Sequence, residues 1–65
     1  MKHTVTLRIR KAFNVYWVLE GWNQRRDVWF TMQDFKTEAE ASEALEAAAK
    51  SFAPRNNVTT LHHAI

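Results

Sequence analysis

No cysteine occurs anywhere in the 65 residues. That excludes a disulfide framework and any thiolate metal site. Glycine and proline occur once each, at Gly21 and Pro54. A loop that cradles phosphate with backbone N–H groups needs several glycines, so none is present. No run approaches the about 18 consecutive apolar residues of a membrane-spanning helix. The N-terminal MKHTVTLRIR lacks the continuous apolar stretch of a signal peptide. These absences lead to the expectation of a cytoplasmic protein without a cofactor. The length leads to a single small domain spanning residues 1–65, with a modest core stabilised by packing alone.

What is present is patterned. In TVTLRIR, Val5, Leu7 and Ile9 alternate with Thr4, Thr6, Arg8 and Arg10, the period of a half-buried strand. In FNVYWVLE, residues 13–20, Val15, Trp17 and Leu19 continue the odd-numbered apolar face. A loop around Lys11–Phe13 would join the two strands. Pairing residues whose numbers sum to 24 sets Ile9 opposite Val15, Leu7 opposite Trp17 and Arg8 opposite Tyr16. A second loop is expected over Gly21–Arg26, with Gly21 and Asn23 able to take positive φ. Residues 27–33 form a third strand whose Val28, Phe30 and Met32 point to the core and whose Trp29 points away. Pairs summing to 47 then put Trp29 beside Val18.

The period changes after residue 36. Thr37 and Glu40 have the spacing of a capping box. Residues 38–53 are rich in strong helix formers, with Ala41, Ala44, Leu45, Ala48, Ala49 and Phe52 on one stripe. The small alanines would let the helix lie close to the sheet, with Trp17, Phe30 and Met32 filling the interface. Pro54 ends the helix. Residues 58–63 read as a short fourth strand beside either the first or the third. The fold class is α+β, in the order β-β-β-α-β: a three-stranded antiparallel meander with one helix packed on one face and a short fourth strand.

One helix covers one face, so the other is left open. Residues 1–26 hold six basic residues against Glu20 alone, net +5, whereas residues 27–65 carry net −3. The open face would carry Arg8, Arg10, Tyr16, Val18 and Trp29, with a cation–π contact between Arg8 and Tyr16. Lys11, Trp22, Arg25 and Arg26 flank it in the loops. Three uses fit such a face. It is a wet sheet surface of ordinary strand residues. It is a protein interface, a homodimer or a foreign partner, because Tyr, Trp and Arg concentrate at binding hot spots. Or it binds duplex DNA, where arginines contact phosphates and base edges. DNA binding through Arg8, Arg10, Lys11, Arg25 and Arg26 is the leading expectation. The alternative is a module that binds and inhibits a host protein through Tyr16, Trp22 and Trp29.

The segment FKTEAEASEAL, Phe35 to Leu45, follows the three strands and is similar to the end of the AP2-like, arm-type DNA-binding domain of phage and transposon tyrosine integrases. Phe35, Thr37, Glu40 and Ala41 match that family's F-x-T-x-x-E-A pattern, and the resemblance spans residues 4–53. It implies DNA contacts from the sheet face. The chain departs from the family in lacking a catalytic domain and in having the fourth strand. A free-standing domain of this size resembles the small accessory proteins of phages and mobile elements, some of which inhibit host proteins.

The marks of an enzyme are missing. Ser42 and Ser51 lie in the helix, with no base placed near them by any pattern. His3 and either His62 or His63 would approach each other if the fourth strand lay beside the first, and two histidines with an Asp or Glu could bind zinc, but solvated histidines near chain ends are the ordinary reading. Glu38, Glu40, Glu43 and Glu46 read as a solvated helix face that also suits the helix dipole.

Overall fold

A computed structural model describes residues 3–63, with the side chain of His63 excepted. Its elements run β1 (His3–Ala12), β2 (Tyr16–Asn23), β3 (Val28–Phe35), α1 (Glu38–Phe52) and β4 (Asn56–His63). The sheet order is β3-β2-β1-β4. The first three strands form an antiparallel meander, and β4 lies parallel to β1 at the far edge. A parallel neighbour needs a crossover, and α1 supplies it while covering one face.

The apolar alternation builds that face as expected. Leu7, Ile9, Trp17 and Leu19 of the sheet are buried against Ala41 and Leu45 of the helix. Val5, Phe35, Ala44, Ala48, Phe52 and Val58 pack around them. Ala41 is fully buried, which lets the helix approach β1 and β2 closely.

The strand registers differ from those expected. β1 and β2 pair with Ile9 opposite Leu19 and Arg8 opposite Glu20, so pairs sum to 28. The turn therefore lies at Phe13–Val15, two residues beyond the expected place. Phe13 and Asn14 both have positive φ, 55° and 57°, and the Val15 N–H donates to the Ala12 carbonyl at 3.0 Å. Asn14 tolerates that conformation well, since its short polar side chain can satisfy the local backbone. Val15 leaves the core and is 73% exposed in the turn. Both registers bury the odd-numbered residues, because they differ by an even number. The opposite face distinguishes them: the observed one sets a carboxylate across from an arginine, and opposite-charge pairs stabilise a ladder.

The second hairpin is also longer than expected. β2 continues through Gly21, Trp22 and Asn23. Asn23 Oδ1 accepts from the N–H groups of Arg25 (3.0 Å) and Arg26 (3.2 Å), and Asp27 takes the positive φ of 53°. Gly21 has no positive φ. Its role is space: a Cβ there would meet the Phe30 ring at 2.7 Å, so the ring lies over the glycine.

Trp22 pairs with Trp29, not Val18 with Trp29, and a register shift leaves Met32 without a partner across the ladder. Met32 is the extra residue of a β-bulge. The bulge and the placement of α1 leave Val28, Phe30 and Met32 substantially exposed, against the expectation that they fill the core. Phe35, beyond the bulge, packs there instead.

The helix starts where its cap predicts. Thr37 is extended, its hydroxyl accepts the Glu40 N–H at 3.2 Å, and the same hydroxyl donates to the Glu40 carboxylate at 3.1 Å. At the other end the Asn56 amide donates to the Phe52 carbonyl at 3.0 Å, two residues after Pro54. Among the described residues no helix is long and apolar enough to cross a membrane. Thr37→Ala removes the N-cap acceptor and should cost about 1 kcal/mol. Chemical denaturation measures it as a lowered midpoint with an unchanged slope.

Candidate functional site

The face opposite α1 is assembled from β1, β2 and β3. Alternation puts Arg8, Arg10 and Ala12 of β1 on it, with Tyr16, Val18, Glu20 and Trp22 of β2 and Trp29 and Thr31 of β3. Glu20 stands at its centre. Its side chain is 5% exposed, and Oε1 accepts from Arg8 Nε at 2.7 Å and from Arg10 Nε at 2.9 Å. Arg10 also reaches Oε2 through a terminal amine at 3.3 Å.

Burial alone would push the Glu20 carboxyl up. The hydrogen bonds from Arg10 and Arg8, together with the charges of both guanidiniums, outweigh it and hold the group below its ordinary value. Glu20 is therefore a carboxylate at neutral pH, and the triad carries net +1.

Arg8 has a second constraint. Its guanidinium carbon lies 3.8 Å from the centroid of the Trp29 ring, a cation–π stack. Trp29 in turn meets Trp22 edge-on, with centroids 5.3 Å apart. The expected stack of Arg8 on Tyr16 does not form. Tyr16 pairs with Ala12 at the turn end, and its ring lies 6.3 Å from that of Phe13. Only Nε of Arg8 is used by Glu20. Among the described residues its two terminal amines have no hydrogen-bond partner.

The long side chains make this face a thin second layer. Val18, opposite Arg10, is 4% exposed, not the exposed valine the alternation implied. Arginine stems cover apolar surface while keeping their charge outward.

The structure brings Arg8, Arg10, Trp22 and Trp29 together. Lys11 lies on the other side of the sheet by alternation, opposite Trp17. Arg25 and Arg26 project from the β2–β3 loop, at the end of the sheet away from Tyr16. An eight-residue strand separates the two ends by roughly 25 Å. The residue that sequence reasoning missed is Glu20. Its even number, shared with Arg8 and Arg10, was the available signal.

His3 and His62 do not meet, and the side chain of His63 lies outside the described residues. In the parallel pairing His3 lies beside Asn56, while His62 lies beside Ile9 near the opposite end of β1. His62 Nε2 is instead 3.3 Å from a Glu38 carboxylate oxygen at the helix start. Among the described residues no group of three or more His, Asp or Glu side chains is placed to hold a metal ion. A shallow groove of about 660 Å³ lies between β2, β3 and the start of α1, lined by Tyr16, Asp34, Lys36 and Glu40 among others. It contains no serine, threonine or histidine beside a base. No family model, curated protein or solved structure matches this chain.

Because the Glu20 carboxyl is held low in the folded state, its contribution to stability is present above the ordinary value of 4.5 and is lost as pH falls through the folded one. Glu20→Gln should therefore cost about 2 kcal/mol at pH 7. The difference between the two proteins should narrow as pH falls through the lowered folded value of the Glu20 carboxyl, where the wild type is protonated too. Urea midpoints across an acidic pH series check the magnitude and the sign.

Proposed function

We propose that the open face is a reading surface for duplex DNA and that the protein is a non-enzymatic, cytoplasmic binding module. The observation that carries this reading is the fixed guanidinium of Arg8. Glu20 holds its Nε, Trp29 holds its plane, and both terminal amines are left over. Two parallel N–H donors match an acceptor pair such as guanine O6 and N7, or two phosphate oxygens. Holding the fork before binding removes part of the ordering cost of recognition. A twisted sheet of this width enters the major groove. The cationic loop at Arg25 and Arg26 supplies phosphate contacts from one end of the strands, where counterion release adds salt-dependent affinity. The matching Phe35–Leu45 segment, similar to integrase arm-type domains, agrees with this use of the sheet.

A second reading rests on a different observation. The triad is only net +1, and the Trp22–Trp29 pair is an aromatic anchor of the kind that dominates protein interfaces. On that reading the same face docks on a host protein, as an inhibitor from a phage or mobile element would.

One set of variants separates the two. Fluorescence anisotropy on mixed-sequence duplexes at low salt should show binding that weakens as salt rises. Arg8→Ala should weaken it by about 1–3 kcal/mol, and Arg25→Ala with Arg26→Ala should reduce the salt slope by about 2. Glu20→Gln removes a negative charge, so simple electrostatics would tighten binding, whereas loss of the brace on Arg8 weakens it. Weaker binding by a folded Glu20→Gln protein supports the DNA reading. Absence of wild-type binding at tens of micromolar protein rejects it in favour of the protein interface.

A further inference from the structure

β3 is an edge strand. Its inner side bonds to β2, and among the described residues no strand pairs with its outer side. Natural edges are blunted by charges, proline, bulges or covering elements. Val28–Thr31 has none of these: no charge, no proline, and a regular ladder that ends before the bulge at Met32. α1 leaves the helix side of this stretch bare, with Val28 48% and Phe30 47% exposed. The other edge, β4, reads NNVTTLHH and is far more polar.

We propose that β3 pairs antiparallel with β3 of a second copy of this chain, about a two-fold axis at Trp29, giving one continuous eight-stranded sheet. Symmetry narrows the register. In such a sheet each residue lies opposite one on the same face, so the pair sums must be even. A centre at Thr31 draws the bulged Met32 into the ladder opposite Phe30. A centre at Phe30 draws the bulged Met32 into the ladder opposite Val28. A centre at Trp29 uses only the regular stretch. It sets Val28 opposite Phe30 twice on the helix side and Trp29 opposite Trp29 on the open face. The occupant is therefore a second copy because this uncharged edge complements itself in apolar content. The pairing does not depend on what the open face binds.

Three paired residues on each side make a small interface, so the dimer is concentration-dependent. Sedimentation velocity of the wild type should show a dimer fraction that grows with concentration. Val28→Lys places a charge against the opposing Phe30 at a half-exposed site and should raise the dissociation constant at least about tenfold. Its urea midpoint should match that of the wild type at concentrations where both are monomeric. Register is tested by crosslinking. The chain has no cysteine, so Trp29→Cys can form a disulfide only with its own copy, and residues opposite each other in a ladder lie within the Cα range a disulfide needs. It should oxidise to a covalent dimer at least about tenfold faster than Thr59→Cys on the β4 edge, as expected where one pair is prepositioned. A wild type that stays monomeric up to about 0.5 mM, beyond the range of even weak specific pairs, overturns the proposal. So does equal crosslinking at the two edges.

Discussion

Glu20 determines what the uncovered face of this sheet is. A carboxylate almost fully out of water is unfavourable unless several donors meet it. Here Arg8 and Arg10 on the neighbouring strand meet it at 2.7 and 2.9 Å. The consequence runs outward from that contact. Arg8 is fixed in plane and stacked on Trp29, and Trp29 is set against Trp22. Val18 lies sheltered beside the arginines. A domain with one helix and one sheet thus acquires a second layer made of long side chains, and its chemistry is presented by that layer.

The same contact explains how much of the fold was legible in the sequence. The element order, the Thr37 cap, the helix stripe and the odd-numbered core follow from local periodicity, and local periodicity survives any even shift in strand pairing. Register did not survive. Summing to 24 or to 28 buries Leu7, Ile9, Trp17 and Leu19 equally well, so the hydrophobic pattern carries no preference. The discriminating residues are polar: Glu20 falls opposite Arg8 in one register only. The turn gave little help, because Phe13 is not a residue that announces positive φ. The bulge at Met32 was illegible for a related reason. It depends on how α1 and β2 divide the space over β3, which is a tertiary matter. At the candidate site, Arg8, Arg10, Trp22 and Trp29 were identified as individuals. Their partners were not, since partners are a property of register.

The two faces therefore follow different rules. The helix side is a conventional apolar contact whose alanines set the spacing. The open side is organised by charge and aromatic stacking, and among the described residues two donors of Arg8 have no partner. The β3 edge belongs to neither layer, and its Val28 and Phe30 stay substantially exposed.

The measurement that reaches the central contact most directly is a pH titration of the glutamate carboxyl carbons by NMR. Burial raises the Glu20 carboxyl, and its two arginine partners lower it further than burial raises it. The account predicts that Glu20 titrates below the ordinary glutamate value of 4.5. A midpoint at or above that value would mean that the arginines do not hold the carboxylate, and that the organisation described for the open face does not exist in solution.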